Sequence, residues 1–176
     1  MDHVSNPLRD AEAYLHAQIP LTRAMGLRVR TANDEEFVVA APVTLNCNHM
    51  QTAFGGSINA VATLAGYGLL WLALRDEDAH VVIRESSIRF VLPICETISA
   101  ICDQPPEALM KDFKNTLRRY GKARMNLQVR VEEKGKLAAE WQGTFVAVRS
   151  AVADAGSAPP AAETLSATAV EQTRSE

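Results

Sequence analysis

Alternating and continuous apolar stretches divide the chain into short strands, one long apolar helix and one amphipathic helix. A first helix is predicted from Pro7 to about Ala17, because Asn6 is a favourable N-cap and proline fits the first helical position. Pro20 and Gly26 then interrupt the chain before the first strand. The predicted strands cover residues 27–31, 37–41, 81–91, 97–102, 123–131 and 137–148, which lie between turn residues.

The longest apolar segment, residues 58–74, is predicted to be a helix buried at the centre of the fold. It lies in a stretch between Glu36 and Arg75 that contains no Asp, Glu, Lys or Arg. Its length approaches that of a membrane span, but Asn59, Thr63 and the glycines within it favour a core helix. A helix that is apolar all round needs cover on all sides. We therefore expect an α+β fold, with an antiparallel β-sheet wrapped around one long central helix.

A second predicted helix follows Pro105 and Pro106. Met110, Phe113 and Leu117 recur at i, i+3 and i+7 and give this helix one apolar face. Its second half and the next strand carry a basic run: Lys111, Lys114, Arg118, Arg119, Lys122 and Arg124. This run is either a solvated helix end or a docking surface for CoA phosphates or an acidic carrier protein. Lys114, Arg118 and Arg119 are the substrate-binding candidates within it.

The chain is predicted to hold one folded domain with a short extension on each side. With 176 residues, 47% of them hydrophobic, it can bury one good core. Residues 1–18 form a helical lead-in and residues 19–149 form the domain. Residues 150–176 are rich in Ala, Ser, Thr, Pro and Glu and contain no aromatic residue. They have little to bury, so we expect a disordered tail.

Charge and cysteine content indicate which partners and which cellular compartment to expect. A net charge of −3 and a pI near 5.8 give no reason to expect nucleic acid. Three cysteines without CxxC spacing favour free thiols in a reducing compartment. The N-terminal residues lack the apolar core of a signal peptide, and no metal-ligand cluster is present. A cytoplasmic protein without a membrane span or a bound metal is the expectation.

The polar loop before the central helix carries the candidate chemistry. Gly55 and Gly56 can aim backbone N–H groups at an oxygen that gains charge, aided by the helix dipole. Asn46 and Asn48 are two residues apart, so in an extended segment both amides would face the same side and donate to that oxygen. Phe54 would provide an apolar wall. We take the two glycines and the two asparagines as the catalytic candidates, without ranking the asparagines.

These residues resemble a known group of acyl-thioester enzymes, the hotdog fold. The loop Asn48-x5-Phe54-Gly55-Gly56-Ser57 and the strand order are similar to those of the C-terminal thioesterase-like domain of the YiiD acetyltransferase-like proteins. The stretches that also fit are residues 19–26, 41–42, 66–72 and 88–93. The resemblance covers residues 19–149 and is closest to the stand-alone form of that domain. It implies at least a homodimer with the pocket near the subunit interface.

Two positions depart from the pattern common in hotdog thioesterases, Asn-x5-His-Gly-Gly with an acidic residue further along the helix. Phe54 stands where the pattern has His, and Thr63 stands where it has the acid. Thr63 could only orient water, so hydrolysis loses its usual base. Stand-alone relatives are associated with malonyl-ACP decarboxylation, which primes fatty-acid synthesis and needs mainly enolate stabilisation. The resemblance thus implies a decarboxylase of malonyl-ACP or malonyl-CoA.

Two alternatives stay open: a thioesterase acting on acyl-CoA or acyl-ACP, and a non-catalytic module that binds acyl thioesters. In each case the partner is an acyl carrier protein or a CoA thioester. No separate cofactor is implied, because CoA or phosphopantetheine enters as part of the substrate.

Overall fold

The computed structural model describes residues 6–149, which form a six-stranded antiparallel sheet around a long helix. The helices are α1 (Pro7–Gln18), α2 (Leu21–Ala24), α3 (Gly55–Leu74) and α4 (Glu107–Tyr120). The strands are β1 (Arg28–Ala32), β2 (Glu36–Pro42), β3 (Ala79–Phe90), β4 (Thr97–Asp103), β5 (Lys122–Glu133) and β6 (Lys136–Arg149). The predicted tail, residues 150–176, lies outside the described residues. The predicted α+β architecture is confirmed.

The order of strands across the sheet is β1-β2-β4-β5-β6-β3. Strands β1 and β2 form a hairpin, and β2 also pairs with β4. Between β2 and β4 the chain passes through α3 and then β3, which crosses to the far edge and pairs with β6. This order leaves β3 as an edge strand of 12 residues, most of them exposed. The sheet therefore offers one long unpaired edge.

Helix α3 is the central helix that the sequence predicted, and ten of its 20 residues are buried. Its glycines let aromatic rings of the sheet come close. A Cβ built on Gly66 would lie 2.8 Å from the Phe145 ring, and one on Gly68 would lie 2.2 Å from the Phe37 ring. By length and composition α3 could cross a membrane, yet more than half of its apolar window is buried within the domain. Its apolar character fits its place in the core.

The helical lead-in packs into the same core as the rest of the domain. Asn6 caps α1 by accepting hydrogen bonds from the next backbone N–H groups, and Leu15 of α1 is fully buried. Tyr14 stacks on Trp71 of α3, with ring centroids 4.4 Å apart. The Tyr14 and Tyr67 hydroxyls are 3.1 Å apart, and burial followed by this hydrogen bond raises the Tyr67 pKa. Helix α1 thus covers the second half of α3.

Helix α4 fills the gap where β4 and β5 separate. The two strands pair only around Ala100 and Val131, after which β4 continues beside β2 but no longer beside β5. The predicted apolar face of α4, formed by Met110, Phe113 and Leu117, is buried against the core. The helix therefore closes the core at the end of the fold where α3 finishes.

Candidate active site

The loop before α3 is held closed by its own backbone. The Phe54 N–H donates to the Asn46 carbonyl at 2.8 Å, and the Ala53 N–H donates to the Ile94 carbonyl at 2.8 Å. Cys47 and Ala53 form an antiparallel bridge between these bonds. The loop therefore folds back on itself and delivers the chain to the start of α3 in a fixed position.

Helix α3 begins at Gly55, three residues earlier than the sequence predicted, so both glycines belong to its first turn. The first bond of the helical pattern runs from the Ile58 N–H to the Phe54 carbonyl at 3.0 Å. The N–H groups of Gly55, Gly56 and Ser57 precede it, and the N-cap Phe54 has no side chain that could accept from them. These N–H groups and the helix dipole favour an oxygen that carries negative charge.

Two exposed aromatic rings flank this helix start. A Cβ on Gly56 would lie 2.3 Å from Phe54 Cε1, and a Cβ on Gly55 would lie 3.2 Å from Phe90 Cζ. The rings are 56% and 52% exposed, respectively. The absence of a Cβ at both glycines therefore lets aromatic rings pack close to the backbone of the helix start. We had not predicted Phe90 as a site residue, although the end of its strand belongs to the motifs that carry the resemblance.

Asn46 does not have the donor role that we predicted for it. It is 4% exposed, and its Nδ2 donates to the carbonyls of Met25 and Pro42, both at 2.8 Å. Both amide hydrogens are used inside the fold, and the segment is not extended, because Asn46 ends a short 3-10 turn, Val43–Leu45. The prediction that Asn46 donates to a substrate oxygen is therefore wrong in this structure. Asn46 instead ties the loop to the chain before β1.

Asn48 organises the tip of the loop. Its Oδ1 accepts from the Met50 N–H at 2.8 Å and from the Thr52 N–H at 3.3 Å, and its Nδ2 lies 3.0 Å from Thr52 Oγ1. The tight turn continues through Gln51, which has a φ of 59°. One amide hydrogen of Asn48 has no partner among residues 6–149 and is available to a substrate oxygen. Asn48 is therefore the asparagine that remains a catalytic candidate.

Thr63 is satisfied by its own helix, since its Oγ1 donates to the Asn59 carbonyl at 2.9 Å. It could still accept a hydrogen bond, but it has no donor left for a substrate. Asn59 was not among our site predictions, yet its side chain receives the indole N–H of Trp141 at 3.0 Å. Asn59 is half-buried, one turn after Gly55. No sequence signal distinguished it, because its partner is 82 residues away.

The basic substrate-binding candidates lie far from the glycines of the same chain. Arg118 forms an ion pair with Glu77 at 2.5 Å. Glu77 lies three residues after Leu74, the last residue of α3. A helix of 20 residues is about 30 Å long, so Arg118 sits at the opposite end of α3 from Gly55. Lys114 lies on the same side of α4, close enough to lower the pKa of Glu77, and Arg119 follows Arg118. The single chain does not bring these residues to the site.

The thiols of the loop and core differ in accessibility. Cys47 is exposed, whereas Cys102 is buried. Burial raises the pKa of Cys102 to about 12, which keeps this thiol protonated at neutral pH. His49 is exposed at the loop tip. Among residues 6–149, no group of three or more His, Cys, Asp or Glu side chains is arranged to hold a metal ion.

Comparison with known proteins identifies the family. Residues 8–149 match the family described as "Putative thioesterase (yiiD_Cterm)". The chain belongs to this family. A "putative thioesterase" from Shewanella oneidensis is 30% identical, and the match has a TM-score of 0.73 and covers 81% of this chain and 97% of the other. A protein of unknown function from Chlorobaculum tepidum TLS is 25% identical, with a TM-score of 0.76 and coverages of 81% and 94%.

A "probable thioesterase" from Pseudomonas aeruginosa is 20% identical, with a TM-score of 0.72 and coverages of 84% and 99%, and it supports the fold alone. The three structures share the hotdog fold, and the family match and the 30% identical relative support acyl-thioester processing. The family match starts inside α1, in agreement with the packing of the lead-in into the core.

Two grooves of this YiiD-type domain lie away from the loop. Two grooves of about 810 and 680 Å³ run over the outer face of β3, β5 and β6. Their polar side chains bond mainly to one another, as when the Thr144 hydroxyl bonds to Glu85 and Asn126. The start of α3, by contrast, is open towards the free edge formed by β3.

Proposed function

We propose that this protein decarboxylates malonyl thioesters, carried by an acyl carrier protein or by CoA, to the acetyl thioesters. The observation that carries the proposal is the start of α3. The N–H groups of Gly55 and Gly56 have no hydrogen-bond partner there among residues 6–149, and the rings of Phe54 and Phe90 lie close to the two glycines. Residues 37–74, which include the loop and α3, contain no carboxylate that could serve as a base for hydrolysis.

In this reaction the bond between the methylene carbon and the carboxylate carbon breaks and CO2 leaves. The electron pair of that bond forms an enolate whose charge lies on the thioester oxygen. The N–H groups of Gly55 and Gly56 and the free amide hydrogen of Asn48 stabilise this oxygen as the charge develops. A proton from water then adds to the methylene carbon and gives the acetyl thioester. The thioester bond stays intact throughout.

The aromatic rings favour this reaction over hydrolysis. The charge of a carboxylate must move to another atom in the transition state, and poor solvation of the carboxylate lowers the cost of that movement. Phe54 and Phe90 provide an apolar surface, and Phe54 stands where hotdog thioesterases commonly present a histidine. Hydrolysis remains the second candidate because the family is described as a thioesterase family.

We further propose that the active form is a homodimer paired through β3. Helix α3 and β3 run antiparallel as neighbours, with Gly55 beside Phe90 at one end and Leu74 close to Ala79 at the other. A two-fold axis that pairs β3 with a second β3 would reverse the direction of the second chain. The basic end of one subunit, near Glu77, would then lie beside the glycines of the other.

In such a dimer, Lys114, Arg118 and Arg119 of one subunit can bind the phosphates or carrier protein of a substrate held by the other. In this arrangement the three basic residues have the substrate-binding role predicted from the sequence, but each set serves the site of the other subunit. A carrier-protein or CoA substrate is also consistent with the predicted cytoplasmic location.

The test is incubation of the purified protein with malonyl-ACP and with malonyl-CoA, with the acyl products followed by mass and the free thiol by titration. We expect the acetyl thioester to form without release of thiol. Exposed Cys47 and Cys95 also react with thiol reagents, so a protein blank is subtracted. Release of the thiol would support hydrolysis instead. Tight binding of malonyl-CoA without turnover would favour the non-catalytic binding module.

A further inference from the structure

The first two turns of α3 carry a polar side chain that the site described so far does not use. Asn59 is four residues after Gly55, so the two lie on the same side of the helix, one turn of about 5.4 Å apart. Gly55 faces the Phe90 ring of β3, and Asn59 bonds to Trp141 of β6. Ile88 of β3 is paired with Trp141. Asn59 therefore lies further inside the fold than Gly55, beside the paired strands β3 and β6.

The bond with Trp141 determines which way the Asn59 amide faces. The indole N–H can only donate, so the atom that it reaches at 3.0 Å is the amide oxygen, Oδ1. The amide nitrogen, Nδ2, then faces away from the indole. It has no hydrogen-bond partner among residues 6–149. Every fully buried side-chain nitrogen or oxygen in that part of the chain has one, so this Nδ2 is accessible. The two amide hydrogens of Asn59 are thus free to donate, one helical turn after Gly55.

We propose that Asn59 binds the free carboxylate of a three-carbon acyl group, and that Trp141 positions it. This inference deepens the proposed function and rests on its assignment of Gly55 and Gly56 as the thioester site. The thioester carbonyl and the carboxylate of a malonyl unit are separated by one carbon, which suits two donors one helical turn apart. The substrate class assigned here is therefore a malonyl thioester rather than an unbranched acyl thioester without a carboxylate.

A neutral amide suits this task better than a cation. An arginine or lysine would hold the carboxylate charge in the ground state, whereas the charge must leave the carboxylate in the transition state. The segment from residue 37 to 74 provides no cation. Arg89 of the neighbouring strand is paired with Glu140 on the outer face of the sheet. Asn59 can orient the carboxylate without strongly stabilising its charge.

The proposal is tested by binding, so that it does not depend on turnover. The probes are two CoA derivatives in which an amide replaces the thioester, one malonyl and one acetyl. The malonyl amide keeps the carboxylate but resists decarboxylation, because an amide enolate is less stable than a thioester enolate. Calorimetry should show that the wild-type protein prefers the malonyl probe. Asn59→Asp keeps the size of the side chain and the acceptor for Trp141 but replaces the donors by a negative charge.

We expect Asn59→Asp to weaken the binding of the malonyl probe by about 10- to 100-fold, as for a lost hydrogen bond to a charged group. The affinity for the acetyl probe should be nearly unchanged. Trp141→Phe keeps an aromatic core residue but releases the Asn59 amide, and should remove part of the preference. Asn126→Asp, on the outer face of β5, is the matched control and should change neither affinity.

Equal affinity of the wild-type protein for both probes would overturn the proposal, as would a preference that survives Asn59→Asp. An unchanged preference in Trp141→Phe would overturn the positioning role of Trp141. If the wild-type protein prefers the malonyl probe but forms no acetyl thioester, the decarboxylase proposal fails while the carboxylate site stands. Circular dichroism and urea unfolding of each variant separate lost binding from lost folding.

Discussion

The ring of Phe54 lies over Gly56, so close that a Cβ on this glycine would be 2.3 Å from the ring carbon Cε1. The glycine sits in the first turn of α3, and the ring belongs to its N-cap residue. The lack of a Cβ therefore lets an apolar ring pack directly on the helix turn whose N–H groups precede the first helical bond. The position of the Phe54 ring beside this turn therefore depends on glycine at residue 56.

Gly56→Ala should lower activity much more than stability. The methyl group would push the Phe54 ring from its place, and the exposed ring can move at low energetic cost. Alanine is itself the better helix former, by about 0.5–1 kcal/mol. We expect at least a tenfold loss of kcat on malonyl-CoA, an order set by the loss of one oriented group at an oxyanion site. The unfolding free energy, measured in urea, should change little.

Gly121→Ala is not a suitable control, because Gly121 has a φ of 69° and alanine would strain the backbone there. Gly55→Ala is the better comparison for Gly56→Ala. A Cβ on Gly55 would lie 3.2 Å from the Phe90 ring, so only a small shift of this ring would be needed. Full activity of Gly56→Ala would mean that the position of the Phe54 ring does not matter to the reaction.

The two asparagines of the loop should separate stability from catalysis. Asn46→Ala removes two hydrogen bonds and leaves the carbonyls of Met25 and Pro42 without their donor, which should cost about 2–4 kcal/mol of unfolding free energy. Asn48→Ala lies in a half-buried turn and should cost about 1 kcal/mol. Its kcat on malonyl-CoA should nevertheless fall by more than tenfold.

Urea unfolding and initial rates on the two variants provide the comparison. If Asn48→Ala kept the wild-type kcat, the last side-chain amide would be excluded from the proposed oxyanion site. The backbone N–H groups of Gly55 and Gly56 would then be its only donors.

The central helix was predictable because its signal is local. Forty positions from Glu36 to Arg75 contain charged residues only at the two ends, and a neutral apolar helix can be stable only in a core. The apolar face of α4 was equally clear from Met110, Phe113 and Leu117. The short helix α2 and the 3-10 turn after β2 were not predicted, because elements of three or four residues have no periodicity to detect.

The candidate site was predictable only in part, because several of its decisive contacts join distant segments. Nothing in the sequence around Asn46 shows that its amide reaches Met25, and nothing around Asn59 shows that Trp141 is its partner. The distance from Arg118 to the glycines likewise depends on where α4 packs. Local motifs therefore predicted the central helix and the glycines at its mouth, while its exact start and the side-chain donors had to be assigned from the fold.

The ion pair between Arg118 and Glu77 should make stability depend on pH. The hydrogen bond from Arg118 is the main cause that lowers the pKa of Glu77. A carboxyl whose pKa is lower in the folded state stabilises the fold above its unfolded pKa, and this contribution is lost as the pH falls through the folded pKa. Glu77→Gln should therefore be less stable than the wild-type protein at pH 7.

The difference in stability should shrink as the pH falls below the ordinary glutamate pKa of about 4.3 and disappear at lower pH. Urea unfolding at a series of pH values measures it. Because Arg118 is largely exposed, high salt should also reduce the difference. The exposed Glu35 in the turn between β1 and β2 provides the control Glu35→Gln. A Glu77→Gln effect that is constant from pH 7 to pH 3 would contradict the linkage.

The proposed dimer makes a prediction about the edges of the sheet. Val82 on β3 is 55% exposed, and Val82→Glu would place a charge where a second β3 should pair. We expect the wild-type protein to sediment with at least twice the chain mass of 19.2 kDa and Val82→Glu to sediment as a monomer with little activity. Thr31→Glu, on the opposite edge strand β1, should remain a dimer.

Mixing two inactive variants tests whether the basic residues serve the site of the other subunit. One variant is Asn48→Ala, and the second combines Lys114→Glu with Arg119→Glu. If Lys114 and Arg119 act across the interface, a mixed dimer contains one site in which the glycines, Asn48 and the basic residues are all intact. Co-refolding should then recover activity on malonyl-ACP. If the basic residues act within their own chain, both sites of the mixed dimer carry a defect and no activity returns.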